Sequence, residues 1–229
     1  MYKYAYILGV LLLSPLFFVM YLKRKDLRTE MVTIGAIGGL VAFTAAPYFF
    51  GKYWSPVTLF NFKNSIEDFL FGFFLCSESA GIYGFILNKR FENYHFWNVC
   101  KTNSGKVFIS IILNPMLFFV LVRFTKINPI YCSMISTVIP LILITVNNKV
   151  RSNIAAFTGV FIFLYTLVFY LIFNHLFPGI ISNWWNLNNI SGILVFGIPI
   201  EELIWFTAVG MFCSVTYKFI TNSRVELVN

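Results

Sequence analysis

Apolar residues in this chain arrive in blocks of roughly twenty, the length at which a helix rising about 1.5 Å per residue crosses about 30 Å of hydrocarbon. Seven blocks stand out, at roughly 2–22, 31–50, 65–88, 107–122, 129–147, 154–176 and 199–220. The pattern predicts an all-α polytopic membrane protein with about seven transmembrane helices. Composition supports it: only 11% of the 229 residues are charged, whereas a soluble domain carries about a quarter. A secreted disulfide scaffold, a nucleic-acid-binding domain and most cofactor-bearing soluble enzymes are thereby excluded.

The net charge of +8 does not mark a nucleic-acid partner, because the 17 Lys and Arg residues fall in short clusters between the apolar blocks. Such clusters set topology instead. With the N-terminus outside, five lie on the outer side (Lys3, Lys52, Lys63, Arg123, Lys126) and the other twelve, Lys23, Arg24, Lys25 and Arg28 among them, on the inner side. The expected orientation is N-terminus outside and C-terminus cytoplasmic, in the plasma membrane. The first block is too long for a signal-peptide core and its positive charges follow it, so it is expected to remain in the mature protein. Cys76, Cys100, Cys132 and Cys213 form no CxxC pair, and His95 and His175 stand apart from them; free thiols and no metal site are expected.

Proline marks two irregular places. Asn114-Pro115 lies at the centre of the short fourth block and predicts a kink or help from a neighbouring helix; Pro140 in the fifth asks for the same. On the second block Gly35, Gly38, Gly39 and Ala42 permit close helix approach.

The third and seventh blocks repeat weakly. An offset of 134 aligns Ile66-Glu67-Asp68-Phe69-Leu70-Phe71 with Ile200-Glu201-Glu202-Leu203-Ile204-Trp205, and brings Tyr83 onto Tyr217. Four crossings separate the two, so both enter from the same face. This predicts two parallel three-helix repeats, 1–100 and 129–229, joined by a linker helix within 101–128. Before each acidic pair stands an aromatic loop, Tyr53-Trp54-Ser55-Pro56 and Asn183-Trp184-Trp185-Asn186, whose tryptophans read first as interfacial anchors.

Nine acids are present, and Glu67, Asp68, Glu78, Glu201 and Glu202 lie at the mouth of an apolar block or inside one. A carboxylate in hydrocarbon is costly and usually faces a bundle interior or pathway. One acid per helix start would follow from the helix dipole alone, but adjacent acids repel, so a repeated doublet calls for more. Glu67, Asp68, Glu201 and Glu202 are the candidate catalytic groups. Glu78 lies eleven residues beyond Glu67, close to three turns and so on nearly the same side; at that depth the neutral acid is favoured. It reads either as a proton donor or as a hydrogen-bonded structural acid. Phe71, Glu78, Tyr83, Trp205 and Tyr217 are the expected substrate-lining residues. The 28 Phe, 12 Tyr and 5 Trp provide ring faces that stabilise a cation in a dry cavity. Carboxyls beside such faces suit protonation of an isoprenoid double bond, passage through a carbocation and proton loss to a second carboxylate.

The segment Gly197-Ile198-Pro199-Ile200-Glu201-Glu202-Leu203-Ile204-Trp205 resembles the Pro-Ile/Leu-Glu-Glu signature of the membrane-integral lycopene cyclases. Asn64-Ser65-Ile66-Glu67-Asp68-Phe69-Leu70-Phe71 is similar to the matching motif of the other subunit in heterodimeric forms. Both in one chain resemble the fused form. The resemblance implies a bundle akin to the prenyltransferases of ubiquinone biosynthesis, lycopene as a lipophilic polyene substrate, β-ionone rings as product, and an acid/base role for Glu67, Asp68, Glu201 and Glu202. Three departures stand out: Ser65 in place of proline, Asp68 in place of the second glutamate, and Glu78 in a stretch usually small and neutral.

No GxGxxG element follows a strand, so no flavin or nicotinamide cofactor is expected. Metal-dependent prenyl transfer needs Asp-rich sites, and the chain has only Asp26 and Asp68. A non-enzymatic transporter or scaffold with intramembrane acids is the alternative reading, and a homodimer is left open.

Overall fold

The structure is a computed structural model that describes residues 2–91, 102–223 and 225–227. His95, Cys100 and the boundary drawn between residues 100 and 101 lie outside the described residues. The helices run in the order α1 (Ala5–Lys23), α2 (Arg28–Phe49), α3 (Ile66–Ile86), α4 (Ser104–Phe124), α5 (Pro129–Thr145), α6 (Lys149–Leu176), α7 (Ile180–Trp184) and α8 (Ile200–Thr221). Short strands β1 (Lys89–Phe91) and β4 (Val225–Leu227) pair antiparallel at one end of the bundle, and β2 (Leu194–Val195) pairs with β3 (Ile198–Pro199) just before α8. The protein is an all-α membrane protein.

Seven of the helices coincide with the seven apolar blocks, and α7 is a short addition in the loop before α8. Six are long and apolar enough to cross a membrane. The exception is α5, whose 17 residues reach only about 26 Å at 1.5 Å per residue. Local chemistry fixes its ends: Asn128 caps the start through Ile130 N at 3.1 Å with Pro129 as first residue, and Asn148 accepts Arg151 N at 2.9 Å to start α6.

Burial orders the bundle. In α3 and α8, 61% and 67% of the spanning window is buried, against 11% in α4, so α3 and α8 form the centre and α4 the rim. α2 lies along α3, and α8 packs on α3, α5 and α6. The α2–α3 seam is close because it has no side chains in the way. A Cβ on Gly72 would stand 2.7 Å from the Gly38 carbonyl oxygen and 2.6 Å from Ala42 Cβ, closer than atoms pack. We expect Gly72→Ala to cost about 1–3 kcal/mol through overpacking, read as a lowered midpoint of thermal unfolding in detergent.

Proline irregularities are repaired locally. Pro115 cannot donate to Ile111, and the turn ahead of it, Phe108–Ile112, widens to a π turn. Its neighbour Asn114 donates from Nδ2 to Thr137 Oγ1 on α5 at 3.0 Å, the help the sequence called for. In α1, Pro15 leaves the Leu11 carbonyl without its usual donor, and Ser14 Oγ supplies one at 3.0 Å. One turn on, Phe17 N–H donates to Glu78 Oε1 at 3.1 Å and Tyr165 OH donates to the Leu13 carbonyl at 2.9 Å. Glu78 therefore ties α3 to α1. Near the opposite end from the acid doublets, Lys218 on α8 forms a buried ion pair with Glu30 on α2 and also donates to the carbonyls of Ala80 and Ser214.

Candidate active site

Ser65 starts α3 with a reciprocal cap. Its Oγ accepts from Asp68 N at 3.3 Å, while Asp68 Oδ2 accepts from both Ser65 N and Ser65 Oγ at 2.8 Å. This is the capping box that Ser-x-x-acid encodes. The second copy has Pro199 in the N-cap position, with no N–H to offer and no side-chain cap. Glu202 is thus released from capping, and its extra methylene carries it further. Ser65 and Asp68 therefore act as a pair, each accepting from the other's backbone N–H. We expect Ser65→Ala to cost about 1 kcal/mol of stability, measured by thermal unfolding.

Released from the helix end, Glu202 is held by three donors. Tyr53 OH (2.6 Å) and Trp185 Nε1 (2.8 Å) donate to Oε1, and Tyr170 OH donates to Oε2 at 2.5 Å. Asp68 Oδ1 accepts from Tyr6 OH at 2.7 Å. Tyr6 also lies within electrostatic reach of Glu202. Tyr53, in the loop before α3, has its phenol pushed well above its ordinary value by burial and then by the adjacent Glu202 charge; it stays a proton donor to that carboxylate.

Both acids belong to the wall of one cavity of about 200 Å³, lined mainly by aromatic and aliphatic side chains of α1, α2, α3, α4, α5, α6 and α8. On α3 the wall residues are Asp68, Phe71, Gly72, Leu75 and Cys76, and on α8 they are Glu202, Trp205, Val209, Phe212, Cys213 and Thr216. Each set follows the three- and four-residue spacing of a single helix face. Phe71 and Trp205, matched positions of the repeat, stack with ring centroids 6.3 Å apart and planes 9° from parallel. Trp205 Nε1 donates to Ser133 Oγ on α5 at 2.8 Å.

The remaining sequence candidates lie off these faces. Adjacent helix residues point about 100° apart, so the first acid of each doublet turns away when the second faces the cavity. Glu67 Oε1 accepts from Leu59 N at 2.7 Å, and Glu201 Oε1 accepts from Ser191 N at 2.9 Å and Tyr131 OH at 2.8 Å. Each pins the loop that precedes its own helix. Glu78 shares the side of Glu67, as the eleven-residue spacing predicts, and so meets α1. Tyr83 packs edge-on against Phe157 at 5.5 Å, and Tyr217 belongs to the apolar core at the far end of the bundle. Glu78, Tyr83 and Tyr217, expected as substrate-lining, stand outside the lining residues, each off the cavity-facing stripe of its helix.

The aromatic loops are wall rather than anchor. Trp54 and Trp185 form an antiparallel bridge, with Ser55 N donating to the Trp184 carbonyl at 2.7 Å and Asn186 N to that of Tyr53 at 2.8 Å. Tyr53, Trp54, Trp184 and Trp185 all line the acid end of the cavity. Tyr6, Tyr53, Tyr170 and Trp185 are the site residues that the sequence does not single out by role. For Tyr53 and Trp185 the one signal is the aromatic loop ahead of each acidic doublet; Tyr6 on α1 and Tyr170 on α6 carry none. Cys76, Cys132 and Cys213 are free thiols, as expected.

Neither the curated proteins nor the solved structures contain a match to the chain. The family model described as Lycopene cyclase matches residues 128–220, from the cap of α5 to the last turn of α8. That stretch holds the Pro199-Ile200-Glu201-Glu202 signature together with Tyr170 and Trp185, two of the three donors to Glu202, and it is in this stretch that the chain is similar to the lycopene cyclases.

Proposed function

We propose that the protein is a membrane-embedded carotenoid cyclase that converts the linear ends of lycopene to β-ionone rings without net redox change. The observation that carries the reading is the arrival of one carboxyl from each of α3 and α8, Asp68 and Glu202, in the wall of a single aromatic cavity. At about 200 Å³ the cavity is below the roughly 300–1,000 Å³ of common ligand pockets, which suits one end of a long polyene entering at a time.

In this reading the two acids take opposite roles, Glu202 as the carboxylate held by Tyr53, Tyr170 and Trp185 and Asp68 as the acid. Asp68, in its neutral form, delivers its proton to the terminal double bond. The resulting carbocation is attacked by the next double bond along the chain, closing the ring, and the cation moves into the ring. Phe71, Trp205 and Tyr170 present ring faces along this path. Glu202 then removes a ring proton and restores a double bond. The proton gained equals the proton lost.

The repeats 1–100 and 129–229 around a linker helix belong to this reading, supported by the matched pairs Asp68/Glu202 and Phe71/Trp205. With the N-terminus outside in the plasma membrane, the acid end of the cavity lies toward the outer face and the C-terminus is cytoplasmic. The partners are the polyene and the bilayer, and a homodimer would place one such cavity in each copy. Expression in a lycopene-accumulating bacterium tests the function: ring-bearing carotenoids are expected. Unchanged lycopene, with the protein inserted in the membrane, would overturn the cyclase in favour of a non-enzymatic transporter or scaffold.

A further inference from the structure

At the end of the bundle away from the acid doublets, two cations share one aromatic ring. Lys106 Nζ lies 5.7 Å and Arg151 Cζ 4.9 Å from the ring centroid of Phe219. The cations come from the first turns of α4 and α6, and the ring from the last turn of α8. They are close enough for the Arg151 charge to act on Lys106. Neither side chain is fully buried, and Lys149 stands exposed beside them.

Among the acids whose side chains are described, none answers this charge. Asp26 pairs with Arg24 and Glu30 with Lys218. Glu67, Asp68, Glu201 and Glu202 cap the opposite end, and Glu78 is bonded to α1. The contacts that Lys106 and Arg151 make are to neutral oxygens, the Asn222 side chain and the Ile144 carbonyl (3.4 Å) respectively. Like charges held together without a counter-charge leave room for an anion, and the N-terminal dipoles of α4 and α6 add to the field.

What the anion is attached to follows from the surface of α4. Phe108, Ile112, Met116 and Val120 are 43–46% exposed and recur every fourth residue. They form an apolar stripe that leaves the Lys106 turn and runs about 18 Å along the helix, roughly the depth of one leaflet. We propose that Lys106, Arg151 and Phe219 form a binding site for the phosphate of an anionic phospholipid, one of whose acyl chains lies along the Phe108–Val120 stripe. Basic pockets between helices at a membrane surface recognise lipid headgroups in this way. The site is independent of the cyclase reading.

Native mass spectrometry of the full chain in a neutral detergent tests it, with phosphatidylglycerol and phosphatidylcholine of identical acyl chains as probes. Retention of phosphatidylglycerol is expected to exceed that of phosphatidylcholine by about tenfold or more, since two cations face the phosphate. Lys106→Gln and Arg151→Gln should each lower that preference severalfold, and the double variant should abolish it. Lys52→Gln/Lys63→Gln, which removes the same net charge elsewhere, should leave it intact. Equal loss in that control, no loss in either single variant, or displacement of the lipid by millimolar inorganic phosphate would each overturn the proposal.

Discussion

Glu202→Gln removes ring formation, with cyclised carotenoid falling by about 10²–10⁴-fold in a lycopene-accumulating host, the range that a lost general acid or base costs. The amide keeps the shape and one acceptor oxygen for Tyr53 and Trp185, but it can neither hold the negative charge nor take up the ring proton. Glu201→Gln, one residue away, is expected to stay within about tenfold of the parent. Its amide oxygen still accepts from Ser191 N and Tyr131 OH, and its task is to hold the loop. The comparison separates the two members of a doublet that the sequence presents as equals. Loss of activity in Glu201→Gln with retention in Glu202→Gln would reverse the assignment. The measurement is pigment composition, normalised to the amount of protein in the membrane.

Lys218→Met is expected to produce the largest stability change, about 3–5 kcal/mol, because it leaves the Glu30 carboxylate buried without its partner. Glu30 is 4% exposed and Lys218 2% exposed, so water cannot replace what is lost. The pair joins α2 to α8, and Lys218 further joins α8 to α3 through the Ala80 carbonyl. Adding Glu30→Gln to Lys218→Met should recover much of the loss, since the double variant no longer carries a lone buried charge. Thermal unfolding of the three proteins in detergent reads the effect. Equal destabilisation in the single and double variants would mean that the Ala80 and Ser214 contacts, rather than charge, hold this end together.

The repeat between α3 and α8 can be read from identities such as Ile66/Ile200 and Glu67/Glu201, yet the chemistry follows the next position in each copy. A linear comparison weights both acids of a doublet alike. Only the rotation of each helix, set by what its other faces pack against, decides that Asp68 and Glu202 meet the cavity. Glu78 shows the same limit. Its angular relation to Glu67 follows from helix geometry, but that this face meets α1 beside Pro15 depends on a helix sixty residues earlier in the chain. The reciprocal cap of Ser65 and Asp68 is encoded locally, as Ser-x-x-acid at a helix start.

Block length and scarcity of charge by themselves determined that this chain is an all-α membrane protein, because backbone groups in hydrocarbon must be satisfied within a helix and each crossing needs a fixed number of residues. The acidic doublets, their spacing and the likeness to lycopene cyclases were likewise present in the sequence. Tertiary structure alone decided which acid of each doublet faces the cavity, that Tyr6, Tyr53, Tyr170 and Trp185 supply the donors, and that two loops close together as its aromatic wall. Those contacts join residues 62, 149, 32 and 17 positions from the acids they serve, and no local periodicity encodes a meeting between segments so far apart.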